Sequence, residues 1–378
     1  MSTPNKTLVF KKVPKGFPVP GQDIVTEDRP IDLDAVPQGG LVLQNFVTSF
    51  DPYMRGRMRD ASIKSYSPAY ELDGPVNSTC ISKVLKSDSP DFKEGDLVSA
   101  FVDIAEYAYA PKELTAGGRV FKIHNPHNLD LALFVGQLGM PGLTAYSSLY
   151  RIGKPKKGET IFISSAAGAV GQIVGQLAKH EGLTVIGSVG SDEKLDYVTK
   201  ELGFDAATNY KKESTFDALK RLAPNGIDIY YENVGGEVLE GALEAMNTNG
   251  RIVACGMVSV PYYAPPDNIM VIELGYPTNE TIKISQYNVK DASERYGVKN
   301  LMYVVSRRIT MQGFIVSDPD FGPAYAQEHQ EKVQAWIADG SFKAKLHVTE
   351  GIDNAAEGFL GLLEGKNFGK AVLKIKDY

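Results

Sequence analysis

The sequence contains few of the residues that indicate a disulfide-rich or metal-binding protein. Its 378 residues include two cysteines, Cys80 and Cys255, and five histidines. Two cysteines are too few for a disulfide framework or a four-cysteine zinc site, so we expect both to be reduced. The closest histidine pair, His124 and His127, has no cysteine or carboxylate at ligand spacing. We therefore interpret these histidines as solvated loop residues and predict no metal site.

Long hydrophobic runs and a concentrated patch of charge are also missing. No apolar run reaches the roughly 18 residues of a membrane span, and no apolar segment follows the cationic residues of 1–12. We therefore expect a cytoplasmic protein without a membrane span or secretory signal. The formal charge of -6 is spread along the chain, which argues against nucleic acid or an anionic membrane as the main partner. A small molecule is the expected ligand.

The pattern of the chain changes near residue 140. Before it, short apolar runs at 40–47, 81–85 and 95–102 are separated by glycine and proline and predict β-strands. After it, short strands alternate with helices, which is typical of a parallel sheet with helices on both faces. A short helix and strand pattern at the C-terminus suggests a return to the first domain. The predicted fold class is α/β, with a doubly wound parallel sheet and a β-rich domain.

A glycine-containing turn follows the first strand of this second part. Residues 161–171 read IFISSAAGAVG, and a helical pattern continues to His180. The spacing Ala166-x-Gly168-x-x-Gly171 keeps two of the three glycines of the dinucleotide fingerprint, with alanine in place of the first. Such a turn also occurs without a ligand, but the surrounding strand and helix favour a Rossmann pyrophosphate site.

The next strand end indicates which dinucleotide binds. An NAD site places a carboxylate at the end of the second strand, whereas residues 186–191 here contain no acid. Lys194, one turn into the following helix, could contact a 2′-phosphate. A simpler interpretation makes Ser191 the helix N-cap and leaves Lys194 solvated, and the two interpretations are compatible. We predict NADPH.

Separated motifs resemble the zinc-independent medium-chain dehydrogenases/reductases, in the branch of prostaglandin reductases and plant alkenal double-bond reductases. The resemblance covers nearly the whole chain. The matching stretches are DPYMRGRM (51–58), GLTAY (142–146), AAGAVG (166–171), GSDEK (190–194), LGFDA (202–206) with Asn209 and Tyr210, ENVGG (232–236), SQYN (285–288) and MQGFIV (311–316).

The resemblance implies a GroES-like catalytic domain over 1–140, completed by 340–378, and a Rossmann NADPH-binding domain over 141–339. It also implies a homodimer. The residues that it places along the cofactor are Gly168, Ala169, Val170 and Gly171 at the pyrophosphate, Lys194 and Tyr210 at the adenosine 2′-phosphate, and Asn233, Cys255, Gly256, Phe314, Ile315, Val316 and Asn367 along the remaining path.

The activity implied is reduction of the carbon-carbon double bond of an α,β-unsaturated aldehyde or ketone. Tyr287 matches the family's active-site tyrosine, whose hydroxyl would stabilise the enolate oxygen. Tyr53 is expected to line the substrate pocket. The alternatives are an NADPH quinone reductase of the same superfamily and an NADPH-binding protein with impaired catalysis.

One insertion departs from the family pattern. Met257 and Ile284, which the family joins directly, are separated here by residues 258–283. One hypothesis is a retained intron read in frame, since the codons for Val258-Ser259, Thr278-Asn279 and Lys283 can spell splice signals. The other is a lid over the substrate pocket. Because the insertion precedes Tyr287, it is the feature expected to impair catalysis.

Overall fold

The computed structural model describes residues 2–257, 259–262, 282–285 and 297–378. The chain divides into two compact units, which we call unit 1 (Met1–Thr144, Gly168–Val170 and Ala324–Tyr378) and unit 2 (Ala145–Ala167 and Gly171–Pro323). The domain boundaries predicted from the sequence, at 140 and 340, stay a prediction.

The strands in chain order are β1 (Ser2–Thr3), β2 (Lys6–Phe10), β3 (Ile24–Asp28), β4 (Ile31–Asp32), β5 (Leu41–Ser49), β6 (Gly74–Pro75), β7 (Asn77–Ser87), β8 (Leu97–Asp103), β9 (Tyr107–Ala110), β10 (Val120–Lys122), β11 (Thr160–Ile163), β12 (Thr184–Val189), β13 (Ala206–Asn209), β14 (Ile227–Glu232), β15 (Met246–Ala254), β16 (Ser259–Tyr262), β17 (Ile282–Ser285), β18 (Thr310–Gly313), β19 (Leu346–Glu350) and β20 (Lys370–Lys374).

The α-helices are α1 (Tyr53–Arg57), α2 (Lys112–Thr115), α3 (Met140–Ser148), α4 (Gly171–His180), α5 (Asp192–Asp196), α6 (Thr215–Leu222), α7 (Gly236–Ala245), α8 (Met302–Ser306), α9 (Gly322–Ala338) and α10 (Ala355–Leu363). None of the helices within the described ranges is long and apolar enough to cross a membrane.

Unit 1 is built on a seven-stranded sheet. The strand order is β10-β8-β7-β5-β20-β19, and β9 also pairs with β5. Strand β20 runs antiparallel to β5 and parallel to β19, so the C-terminal strands extend the sheet formed by the N-terminal ones. One face packs on a buried apolar cluster that includes Phe50, Met54 and Phe359. The strands predicted near 40–47, 81–85 and 95–102 are confirmed as β5, β7 and β8.

Unit 2 contains a six-stranded sheet in the order β13-β12-β11-β14-β15-β18. Every neighbouring pair is parallel, which confirms the doubly wound α/β prediction. The central strand β11 is a fully buried apolar run, Ile161, Phe162 and Ile163, as expected for a strand covered on both faces. Local sequence sets the helix starts: Ser214 caps α6 by accepting a hydrogen bond from the amide of Asp217 at 3.1 Å.

The two ends of the insertion lie side by side. Strands β16 and β17 form an antiparallel ladder from Ser259 opposite Ser285 to Tyr262 opposite Ile282. The described residues on either side of 263–281 are therefore paired with each other through their backbones.

Candidate functional site

The carboxyl ends of the unit 2 strands form one edge of the sheet, because all six strands are parallel. The strand order reverses direction between β11 and β14, and ligands of such sheets bind outside the carboxyl ends at this position. The predicted cofactor residues of unit 2 lie directly after these ends. They are Lys194 after β12, Tyr210 after β13, Asn233 after β14, Cys255 and Gly256 after β15, and Phe314, Ile315 and Val316 after β18.

The turn after β11 is held by backbone hydrogen bonds to both neighbouring strands. The amide of Ser164 donates to the carbonyl oxygen of Tyr231 at 3.2 Å, and that of Ala166 donates to Ser188 at 2.9 Å. Ser165 has a φ of 52°, in the left-handed region that reverses the chain direction. The turn then leads directly into α4, and the N-terminus of a helix is a favourable position for an anion.

Alanine can occupy the position of the first fingerprint glycine because the neighbouring strand β12 has a glycine, Gly187, opposite its methyl group. Ala166 is fully buried. A Cβ placed on Gly187 of β12 would lie 2.8 Å from the Ala166 methyl carbon. The missing side chain of Gly187 therefore accommodates the methyl group, and the turn keeps its close approach to the sheet.

Gly171 is required by the close packing of α4 on the turn. A Cβ at this position would lie 2.3 Å from the carbonyl oxygen of Ser165 and 2.9 Å from the Cα of Ala166. Both contacts are with backbone, which cannot move aside as a flexible side chain would. The third fingerprint glycine thus has the close-packing role that the sequence motif predicts.

In unit 1, the middle of the turn pairs with the segment that precedes β20. Gly168 and Gly369 form an isolated parallel β-bridge. The side-chain amide of Asn367 donates to the carbonyl oxygen of Gly369 at 2.7 Å, which places this predicted cofactor residue beside the bridge. Gly168, Ala169 and Val170 remain partly exposed, as a surface that contacts a ligand must.

The structure confirms Ser191 as the N-cap of α5, whereas the contact of Lys194 with a 2′-phosphate stays a prediction. Ser191 accepts a hydrogen bond from the Lys194 amide at 3.2 Å. Lys194 is half-buried, and burial together with the nearby charge of Lys211 lowers the pKa of its ammonium group. An anion placed between Lys194 and the exposed Lys211 would relieve the repulsion between their charges.

Tyr210 lies against the end of β12. A Cβ on Gly190 would be 2.8 Å from the hydroxyl oxygen of Tyr210, so the phenol occupies the space that this glycine leaves. Burial raises the pKa of the Tyr210 hydroxyl above its ordinary value, and it is a neutral hydrogen-bonding group at physiological pH. The structure thus brings Tyr210 to the strand end from which Lys194 follows.

Asp192, which begins the helix after β12, is paired with other side chains. The carboxylate of Asp192 accepts a hydrogen bond from the side chain of Asn209 at 2.9 Å and forms an ion pair with Lys212. These contacts lower the pKa of Asp192, the Lys212 hydrogen bond most of all. The charge of the Asp192 carboxylate is therefore offset by Lys212.

Asn233 is anchored to the turn after β11. Its side-chain amide donates to the carbonyl oxygen of Ser164 at 2.8 Å, and its backbone amide donates to the Ser164 hydroxyl at 2.9 Å. The preceding residue, Glu232, is fully buried, and its carboxyl group accepts hydrogen bonds from the amides of Val234 and Gly235. Burial raises the pKa of Glu232.

Cys255 and Gly256 follow β15 and donate their amides to the carbonyl oxygen of Glu232 at 2.9 and 3.1 Å. Burial raises the pKa of the Cys255 thiol to about 12, so it is protonated at neutral pH. Phe314 stacks on Phe321 with ring centroids 4.9 Å apart, which orients the chain after β18. The protonated thiol of Cys255 supports a role in lining the cofactor path and not a role as a nucleophile.

The structure describes one of the two predicted substrate residues, Tyr53, and not the other. Tyr53, in unit 1, is the first residue of α1 and is half-buried against the apolar cluster of that unit. Burial, and then the charge of Asp51, raise the pKa of its hydroxyl above the ordinary range. Tyr287 lies outside the described residues, and its catalytic role stays a prediction.

Sequence reasoning missed several residues that build this region: Ser164, Glu232, Gly187 and Gly369. Ser164 and Glu232 are polar residues at the ends of buried strands, a signal that was visible in the sequence. Gly187 and Gly369 carried no such signal, because each matters only through a residue distant in the chain. Among the described residues, no group of three or more histidine, cysteine, aspartate or glutamate side chains is placed to hold a metal ion.

Comparisons with known proteins match nearly the whole chain. A family model described as the N-terminal domain of oxidoreductase matches residues 6–116, and one described as zinc-binding dehydrogenase matches residues 169–295. The NADP-dependent oxidoreductase RED1 of Cochliobolus heterostrophus is 51% identical over 99% of this chain and 98% of its own.

A plant enzyme and a bacterial crystal structure are also similar over nearly their full lengths. The 2-alkenal reductase (NADP(+)-dependent) of Nicotiana tabacum is 38% identical over 98% of this chain and 97% of its own. The crystal structure of CurA from Vibrio vulnificus in complex with NADPH superposes with a TM-score of 0.81, at 32% identity, over 99% of this chain and 100% of that one.

Proposed function

The chain belongs to the zinc-independent medium-chain dehydrogenases/reductases, in the branch that contains the alkenal reductases, and on that premise we propose that it is an NADPH-dependent reductase of carbon-carbon double bonds. Its proposed substrates are α,β-unsaturated aldehydes and ketones. The observation that carries the proposal is the alignment of the predicted cofactor residues along the carboxyl edge of one parallel sheet.

The residues present fit NADPH. Gly171 allows α4 to approach the pyrophosphate turn, where a Cβ would contact backbone at 2.3 Å. Lys194 and Tyr210 lie at the end of β12, where Asp192 is already paired with Lys212 and Asn209. We propose that these two residues recognise the 2′-phosphate, and that Asn233, Cys255, Gly256, Phe314, Ile315, Val316 and Asn367 line the remaining cofactor path. When bound, NADPH supplies the hydride that the β-carbon of the substrate accepts.

The protein's part in this proposed reaction is to orient the acceptor and stabilise the charge that forms on it. Hydride addition at the β-carbon moves negative charge to the carbonyl oxygen. We assign the stabilising hydrogen bond to the Tyr287 hydroxyl, a donor that acts where charge develops. Tyr53 would form a wall against which the conjugated substrate lies flat. The α-carbon is then protonated, which completes the reduction.

The proposal is tested by following NADPH oxidation with crotonaldehyde, methyl vinyl ketone and benzoquinone. We expect turnover with the enal and the enone, and saturated aldehyde and ketone products. Turnover with the quinone alone would favour the quinone-reductase alternative. NADPH binding without reduction of any acceptor would favour the impaired NADPH-binding protein and would reject the reductase.

Replacement of Lys194 by alanine tests the choice of dinucleotide. Loss of one charged hydrogen-bond partner of the 2′-phosphate is expected to raise KM for NADPH about 10- to 100-fold and leave KM for NADH unchanged. Lys200→Ala is a matched control, because Lys200 is exposed and forms an ion pair at 3.0 Å with Asp196, four residues before it. An equal rise of KM for both dinucleotides would contradict the assignment.

We further propose that unit 2 mediates a homodimer. Strand β18 ends the sheet and, among the described strands, pairs only with β15. The adjacent α8 exposes Met302 and Val305, each 72% accessible. An open strand edge beside exposed apolar side chains is the kind of surface that a symmetric partner covers.

A charge-introducing variant tests this interface. Met302→Glu combined with Val305→Glu is expected to change the mass measured by light scattering from twice the chain mass to the chain mass, because two desolvated carboxylates would oppose association. Leu72→Glu is the control, since Leu72 is equally apolar and 61% accessible but belongs to unit 1. A monomeric parent protein, or a dimer that persists in the double variant, would refute the assignment.

A further inference from the structure

Lys370 is a buried cation to which the proposed reaction gives no part. Its side chain is 1% exposed at the start of β20. The ammonium group donates to Oδ1 of Asp51 at 2.7 Å and to the carbonyl oxygen of Phe50 at 2.6 Å. The Asp51 side chain is 6% exposed, and its other oxygen accepts a hydrogen bond from the Ser49 hydroxyl. This is a fully desolvated ion pair with additional hydrogen bonds on both partners.

One end of this ion pair lies at the start of α1. The carbonyl oxygen of Asp51 accepts a hydrogen bond from the amide of Met54 at 3.1 Å, and the amide of Phe50 donates to Ala371 at 3.2 Å. Tyr53 lies two residues after Asp51, and the Asp51 charge reaches its hydroxyl group. Any shift of residues 50–51 relative to β20 would therefore move the tyrosine that we propose as a wall of the substrate pocket.

The other end adjoins the glycine turn. Gly369, the residue before Lys370, forms the bridge to Gly168. Gly369 has a φ of 79°, and a Cβ on it would lie 2.2 Å from the carbonyl oxygen of Lys345, so its backbone is closely held. Gly369 thus contacts the glycine turn at Gly168. The next two residues, Lys370 and Ala371, contact residues 50–51, which precede Tyr53 and which we call the Tyr53 segment.

Stability alone is a weak reason for such an ion pair. Taking both charges out of water costs about as much as their attraction returns, and apolar replacements of similar volume are often equally stable. An ion pair does, however, define the relative position of two segments within a few tenths of an ångström, since its hydrogen bonds are directional.

We propose that Lys370 is a positioning residue for the reductase, which holds the Tyr53 segment in register with the glycine turn through its ion pair with Asp51. The proposal rests on the proposed function, because it requires Tyr53 to contact substrate. Lys370 acts through Asp51 and Tyr53 and does not itself contact the substrate.

The experiment compares Lys370→Met with the charge-neutral pair Lys370→Met/Asp51→Asn. The single variant leaves a carboxylate buried and unpaired, and we expect Tm to fall by roughly 10 °C. The pair removes both charges, and we expect Tm to return to within a few degrees of the parent.

KM for crotonaldehyde is expected to stay about tenfold higher in the charge-neutral pair than in the parent. The Kd for NADPH is expected to change less than twofold, because the Gly168 bridge is formed by backbone atoms. Recovery of both Tm and KM would show a merely structural role and overturn the proposal.

A double-mutant cycle with Tyr53→Ala shows whether the effect passes through Tyr53. If it does, the charge-neutral pair of substitutions raises KM for crotonaldehyde when residue 53 is tyrosine, as in the parent protein. The same pair has little further effect on KM when residue 53 is alanine. Additive effects would overturn the proposal. If Tyr53→Ala alone leaves KM unchanged, the substrate-wall assignment of the proposed function fails, which is a different result from an unchanged KM in the charge-neutral pair alone.

A milder variant decides the question if the charge-neutral pair does not fold. Ser49→Ala keeps both charges and removes one hydrogen bond that orients the Asp51 carboxylate. We expect KM for crotonaldehyde to rise about two- to threefold at an unchanged Kd for NADPH, which corresponds to the loss of one weak hydrogen bond. An unchanged KM in this variant would overturn the proposal.

Discussion

Replacement of Tyr287 by phenylalanine is expected to lower kcat for crotonaldehyde about 100-fold and to leave the Kd for NADPH unchanged. The phenol hydroxyl is the donor assigned to the enolate oxygen, where charge appears only as the hydride is transferred. Loss of an interaction made mainly in the transition state lowers kcat and kcat/KM together. Steady-state kinetics with crotonaldehyde, together with NADPH fluorescence titration, measure both quantities.

A tyrosine outside the proposed site provides the matched control for this variant. Tyr109 in unit 1 donates its hydroxyl to the carbonyl oxygen of Asp32 at 2.6 Å, and Tyr109→Phe removes the same atom without touching the proposed chemistry. We expect this control to keep the parent kcat. If Tyr287→Phe reduces crotonaldehyde as fast as the parent, the tyrosine mechanism is wrong even though the reductase activity stands.

Replacement of Gly171 by alanine is expected to lower the free energy of unfolding by about 1–3 kcal/mol and to weaken NADPH binding at least tenfold. The added methyl group would lie 2.3 Å from the carbonyl oxygen of Ser165, so either α4 or the turn must move. Both elements form the proposed pyrophosphate site, and a shift of a few tenths of an ångström misdirects the amides at the start of α4. Chemical unfolding and NADPH titration measure the two effects.

The same substitution at another helical glycine shows what the methyl group does without a clash. A Cβ on Gly361 in α10 would have no atom within 4 Å. Because alanine favours a helix over glycine, Gly361→Ala is expected to raise the free energy of unfolding by up to about 1 kcal/mol and to leave NADPH binding unchanged. Equal behaviour of the two variants would contradict the close-packing role of Gly171.

The insertion bears directly on Tyr287, because the tyrosine follows β17 by two residues. The described parts of the insertion pair as β16 and β17, and β15 lies between β14 and β18 in the parallel sheet. The retained intron and the lid both stay hypotheses. Sequencing of the spliced transcript distinguishes them: a message that keeps these codons would reject the intron.

Much of the parallel-sheet unit was predictable because its signals are local. The apolar run of β11, the glycines of the turn and the amphipathic pattern of α4 follow one another within 20 residues. Ser191 and Lys194 were identified in the same way, and the structure confirms the cap by a 3.2 Å hydrogen bond. The assignments of Tyr287 and Tyr53 came from motif resemblance, since one tyrosine among 19 carries no local signal of catalysis.

The sequence by itself determined the order of strands and helices from β11 to β15, the missing strand-end acid and the residue types along the cofactor edge. Only the tertiary structure decided that Ala166 fits against Gly187, that Asp192 is neutralised by Lys212, and that Lys370 pairs with Asp51 across 319 positions of the chain. The reason is physical. Turns, caps and periodicity arise between near neighbours, whereas ion pairs and close packing depend on which distant segments the sheets bring into contact.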